Sequence, residues 1–170
     1  MLIELKSCTA EDLKKLMPIY EQSNRENIRH FFPDCTDPEE GLRKAEESFG
    51  QYICEDFLAD ANNTYYVLEE NGQWVSALRL YGLQDFYYIE ALETKPDCRR
   101  MGYGGNLLAE LIAALREKGA VVIRDNVDKD NLASLATHKK CGFVIDQENG
   151  VDYLCDEEVD EYAYGMLYQG

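Results

Sequence analysis

At 170 residues and 45% hydrophobic composition, the chain is long and apolar enough to fold as one domain around its own core rather than remain disordered. Its 33 Asp and Glu outnumber its 17 Lys and Arg, a net charge of −16. That charge argues against a nucleic-acid partner, because phosphate contacts need clustered cations, and it permits a cationic one.

In chain order, residues 2–5 read as a first strand. Thr9 caps a helix, with Asp12 as its capping-box partner, and Leu13, Leu16, Met17 and Tyr20 form one helical face. Pro18 predicts a kink or an early end there, followed by a loop over 27–36. Asp37-Pro38-Glu39-Glu40 opens a second helix, with its cap, its proline and its acids in the right order. Leu42, Ala45, Phe49, Ile53 and Phe57 keep helical spacing, and Gly50 is expected to split the run. Strands are predicted over 64–68, 74–81 and 86–94, the first two joined by an Asn71-Gly72 turn. A helix with the stripe Leu107, Leu108, Leu111, Ile112 and Leu115 ends at Gly119. The buried strand over 120–123 is expected to run parallel to 86–94, because a helix connects them. A helix over 131–140 and strands starting at 142 and 162 complete an α/β fold in a single domain, 1–170. Its central sheet is mixed, mostly antiparallel and flanked by helices.

Six scattered cysteines include no C-x-x-C pair, and neither His30 nor His138 lies near paired cysteines, so no metal site is expected. The start Met1-Leu2-Ile3-Glu4 lacks the basic region of a signal peptide, and no apolar run approaches a membrane span. The expected setting is a cytoplasm, with reduced thiols and no membrane partner. Cys98 is read as a passive thiol.

The informative stretch joins the strand over 86–94 to the helix that starts near Asn106. It carries Arg99, Arg100, Met101, Gly102, Tyr103, Gly104 and Gly105. Helix N-termini hold anions on unpaired N–H groups, and glycines let an anion approach the backbone, so the turn reads as a pyrophosphate cradle. A Walker A loop would need Lys-Ser or Lys-Thr where Asn106-Leu107 stands, and a dinucleotide fingerprint would need glycine at Leu107. Arg99-x-x-Gly102-x-Gly104 fits neither. With Leu92 and Pro96 ahead of it, it resembles the coenzyme A signature of the GNAT superfamily of N-acetyltransferases. Asn131, Lys140, Gly142 and Phe143 resemble that family's second motif, with His138 where a tyrosine is usual.

The resemblance implies acetyl-CoA as co-substrate and a primary amine, on a small molecule or a peptide, as acceptor. It implies cofactor contacts from Leu92, Glu93 and Thr94, from the cradle residues 99–105, and from Asn131 and Lys140. In relatives the tyrosine donates a proton to the departing thiolate; His138 either takes that role or is a helix-surface residue. Asn131 reads equally as a helix cap. A base is needed to free the amine of its proton. Glu90, on the strand face of Tyr88 and Leu92, is the first candidate, and Glu93 on the opposite face is the second. The acidic run between Asp146 and Glu161 reads as a rim for cationic acceptors or as a solvated loop. The alternative to an enzyme is a non-catalytic acyl-CoA sensor or scaffold, kept open by the missing tyrosine. Edge strands also leave room for a homodimer.

Overall fold

The computed structural model describes residues 1–155 and 158–170. Nine strands and four helices are described: β1 (Leu2–Leu5), α1 (Ala10–Phe31), α2 (Pro38–Gln51), β2 (Thr64–Glu70), β3 (Gln73–Gly82), β4 (Tyr87–Thr94), α3 (Tyr103–Arg116), β5 (Val122–Asp128), α4 (Leu132–Lys140), β6 (Val144–Gln147), β7 (Gly150–Asp152), β8 (Glu158–Asp160) and β9 (Ala163–Gln169). Seven of the strands form one sheet in the order β1-β2-β3-β4-β5-β9-β6, and β7 and β8 make a separate hairpin. Every pairing in the large sheet is antiparallel except β4 with β5.

The sheet separates two cores. On one face Leu16, Ile19 and Tyr20 of α1 pack with Ile53 and Phe57 against Tyr65, Val67, Ala77 and Tyr88. On the other, the stripe of α3 and Leu135 of α4 cover Leu78, Leu80, Ile89, Ile123 and Val127. The Thr9–Asp12 capping box forms as expected. Pro18, however, neither kinks nor ends α1, which runs 22 residues to Phe31. A proline in a helix interior costs about 3 kcal/mol. Here Leu16, Met17, Ile19 and Tyr20 are buried on either side of it, and each such burial is worth about 1.5–3 kcal/mol. The expected loop also begins later than 27, because Ile28 is held inside the helix by Leu42 and Ala45 of α2. Gly50 does not split α2; the change comes after Gln51, where a π-helical turn runs over Tyr52–Phe57.

Two features of β4 shape the site. First, its register with β3 slips: Glu90 faces Arg79 and Glu93 faces Ala77, so two residues of β4 oppose one of β3. Ala91 takes up the extra residue at φ 51°, and the buried Tyr20 hydroxyl donates to its carbonyl at 2.9 Å. This bulge breaks the alternation assumed from sequence. Leu92 packs into the core under α3, away from Glu90, while Glu93 turns to the α1 side that Glu90 also faces. Second, β4 pairs with β5 only at Tyr87–Ile123 and Tyr88–Arg124. Beyond Tyr88 the strands part, while β5 continues to pair with β9 through Asp128.

Candidate active site

The parted strands open a groove of about 880 Å³ whose near end is the glycine turn. Arg100 and Gly102 both have positive φ, at 63° and 85°, so the backbone curls and its N–H groups converge. No backbone N–H from Arg99 to Gly105 has a hydrogen-bond acceptor among the described residues, and α3 has no side-chain cap. Seven free donors in a row, at the positive end of a helix, are what a diphosphate requires. At Gly104 a Cβ would stand 3.3 Å from Thr94 Oγ1, so glycine also lets α3 sit close to β4.

The cradle cations differ. Arg99 is drawn back onto the protein: its Nε donates to the Thr94 carbonyl at 3.1 Å, and its Nη1 donates to Gln22 of α1. The Arg100 side chain makes no hydrogen bond among the described residues and is exposed. Tyr103, Gly104 and Gly105 line the groove with Gly102 and both arginines, whereas Met101 projects into solvent outside it. Leu92, Glu93 and Thr94 form the β4 wall. The Glu93 carbonyl accepts from the Ser76 hydroxyl and the Thr94 carbonyl from Arg99 Nε.

The opposite wall comes from β5 and α4. Asn131 caps α4 by accepting from the Ser134 N–H at 3.1 Å through Oδ1, so its amide donors remain for the groove. Gly142, at φ 94°, closes the helix as Phe143 N–H reaches the His138 carbonyl. Lys140 is exposed in the last turn and does not line the groove.

His138 lines the groove but is 1% exposed. Its Nε2 lies 2.7 Å from Asp125 Oδ2, and its Nδ1 lies 2.9 Å from the Ser134 carbonyl. Burial alone would lower the ring's pKa; the Asp125 hydrogen bond and charge outweigh it, and the value is raised. Both ring nitrogens are therefore committed within the protein.

The two candidate bases have different surroundings. Glu90 accepts from Arg79 Nη2 and from the Tyr81 hydroxyl, both at 3.0 Å, and does not line the groove. It faces a shallow acidic cleft with Asp152, Glu158 and Glu161; Asp156 and Glu157 of the acidic run lie outside the described residues. Glu93 lines the groove and also a second cavity behind it, beside α1. Burial raises the Glu93 carboxyl above the usual range, with the Ser23 hydroxyl and the Arg99 charge opposing. Burial, followed by Asp97, raises the Cys98 thiol, so it is not an activated nucleophile. Among the described residues no three His, Cys, Asp or Glu side chains are grouped to hold a metal, and no helix is long and apolar enough to cross a membrane.

Sequence reasoning missed Tyr20, Arg79, Asp125 and Asn126. Arg79 did carry a signal, a lone cation in the apolar run Trp74 to Tyr81. Asn126 carried none; it bridges the groove and the acidic cleft by donating to the Tyr88 hydroxyl at 3.0 Å.

A backbone anion cradle leading into a split between parallel strands defines a coenzyme-binding α/β domain. The family model described as the Acetyltransferase (GNAT) family matches residues 19–143. The chain belongs to that family and is an N-acetyltransferase, with acetyl-CoA as its co-substrate. No curated protein sequence is a significant match. Among solved structures it is similar to the ribosomal-protein-S18-alanine N-acetyltransferase from Escherichia coli, at 23% identity and TM-score 0.63, covering 99% of this chain and 94% of that one. It is also similar to the PaiA N-acetyltransferase from Thermoplasma acidophilum in complex with coenzyme A, at 16% identity and TM-score 0.65, covering 100% and 99%. A spermidine N-acetyltransferase chimera from Vibrio cholerae aligns at 15% identity and TM-score 0.62, covering 99% and 95%.

Proposed function

We propose that the chain acetylates a primary amine by direct attack, with the cofactor diphosphate on the free N–H groups of residues 99–105 and Glu93 as the base. Bound acetyl-CoA would supply an acyl carbon activated as a thioester. Leu92 and Thr94 border the pantetheine path on one side and Asn131 on the other, with Arg100 supplying charge at the phosphate end. Glu93 takes the ammonium proton and returns it to solvent, because it lies where the groove meets the second cavity. As the C–N bond forms the thioester C–S bond would break, the nitrogen would give up its second proton to water, and the thiolate would leave protonated by water in the open groove, His138 being committed to Asp125. Glu90 instead balances Arg79. His138 is a positioning residue that ties α4 to β5 and so fixes the far wall of the groove. Lys140 and Met101 have no cofactor role in this scheme. The setting is the cytoplasm, which fits six free cysteines. The exposed Val144 and Ile145 on edge strand β6 are the surface a homodimer would use.

The observation that carries this reading is the run of unpartnered N–H groups opening onto the β4–β5 split. Its test is coenzyme A release by the purified protein over a panel of amines, with wild type and Glu93→Gln. Losing a general base costs roughly 10²–10⁴-fold in rate. Glu93→Gln should therefore lose at least about 100-fold in kcat and keep its coenzyme A affinity. Binding of acetyl-CoA without amine-dependent release would favour the sensor instead, and an unchanged kcat in Glu93→Gln would remove Glu93 from the mechanism.

A further inference from the structure

The second cavity, about 430 Å³, lies between the end of α1, α2 and the face of β3 and β4. It shares Ser23, Ala91 and Glu93 with the cofactor groove, so the two spaces meet at the bulge. Its walls are aromatic, formed by Phe31, Phe32, Phe49 and Tyr52. Phe31 is 63% exposed, an apolar ring left uncovered at the cavity rim. Among the described residues, Arg79 is the one cation lining the cavity. Its guanidinium carbon lies 5.8 Å from the Phe49 ring centre and 5.2 Å from that of Tyr52. Nη2 is spent on Glu90, and Nη1 has no acceptor among the described residues.

These observations set three requirements on an occupant. An amine must stop at Glu93, where the groove begins. An apolar body must lie on the rings. Beyond the amine, in a mostly apolar space, the occupant meets a guanidinium whose charge Glu90 balances but whose Nη1 donor is unused. A second ammonium has only donors and would leave both itself and Nη1 without an acceptor in that apolar space, whereas an oxygen acceptor would complete the unused donor edge. We infer that this cavity is the acceptor site and that it selects a monoamine bearing an apolar, preferably aromatic body and a carboxylate or carbonyl oxygen. A free apolar amino acid and the N-terminal residue of a peptide both present that chemistry. The assignment rests on the acetyltransferase reading above. It runs against the acidic cleft beside Glu90, which would favour polyamines.

The test is coenzyme A release from acetyl-CoA with four acceptors: phenylalanine, a Phe-Gly dipeptide, phenethylamine and spermidine. Coenzyme A binding is followed separately by the shift in Tm. A site built to hydrogen-bond one substrate group rejects analogues lacking it far more strongly than apolar contacts alone can, by well over about tenfold. At least one of phenylalanine and Phe-Gly should therefore exceed phenethylamine about tenfold or more in kcat/KM, and spermidine by more. Whichever of the two is faster identifies the free or the peptide source. Arg79→Met should bring the oxygen-bearing acceptor down to the level of phenethylamine. Phe31→Ala, at a position 63% exposed, should raise KM for the aromatic acceptors with the coenzyme A Tm shift unchanged. Spermidine as the preferred acceptor, or an unchanged KM in Phe31→Ala, would overturn this inference and leave the acetyltransferase reading intact. Coenzyme A binding with no release for any acceptor would overturn both.

Discussion

Glu90 and Glu93 are three residues apart on one strand, yet opposite effects of mutation are expected from them. Glu90 neutralises Arg79 in a poorly solvated setting, with side chains 28% and 15% exposed. Glu90→Gln leaves that guanidinium uncompensated and should lower stability by about 1–3 kcal/mol, read from denaturant midpoints. Glu93 is strained the other way: its pKa is raised in the fold, so its contribution is fully present below the ordinary carboxylate value and is lost as pH rises through the raised one. Glu93→Gln should therefore unfold no more easily than wild type at neutral pH, and more reluctantly if anything, while losing rate. His138 belongs to the same scale. Its raised pKa means that the Asp125 pair stabilises fully below the ordinary histidine value of 6.5 and fades as pH rises through the raised value. His138→Gln leaves Asp125 buried without its cation, a loss of about 3–5 kcal/mol for buried pairs. Denaturant midpoints at neutral pH should show that loss; a deficit below about 1 kcal/mol would contradict it.

At the scale of elements, the bulge in β4 decides which face each carboxylate serves. Nothing in Glu90-Ala91-Leu92-Glu93 announces it, because left-handed backbone usually shows in sequence as Gly or Asn and here an alanine adopts it. The reason lies 71 residues upstream, in the Tyr20 hydroxyl on the Ala91 carbonyl, a contact no local pattern can reveal. Tyr20→Phe should therefore lower kcat with little change in coenzyme A affinity. Adding Ala91→Gly should restore much of it, since glycine reaches that conformation without strain. A Tyr20→Phe variant that loses only Tm, with no rescue by glycine, would reduce the contact to packing. The cradle was legible for the opposite reason: Gly102 and Gly104 mark by their identity where the backbone must turn or approach closely. The α1 helix was half legible, since its cap is local while Pro18 is overruled by burial on both sides. The β7–β8 hairpin was not legible at all, because its strands are three residues each and sit in an acidic run without apolar alternation.

At the scale of the molecule, the site exists because one sheet is parallel at a single junction. β3 stays paired with β4 on both sides of the bulge, and β9 pairs with β5 throughout, so the parting beyond Tyr88 falls where the cofactor would replace ladder bonds. Helices α1 and α2 cover one face of that split and form the second cavity; α3 and α4 cover the other and supply the cradle and the far wall. A chain of net charge −16 still offers an anion site, because the donors are main-chain N–H groups at a helix end and need few cations. The most direct measurement is an amide ¹⁵N–¹H titration of the protein with coenzyme A. The account expects the largest shifts at Gly102, Tyr103, Gly104 and Gly105, with smaller ones along Leu92 to Thr94 and at Asn131. Saturable binding that leaves the four amides of the turn unmoved would contradict it.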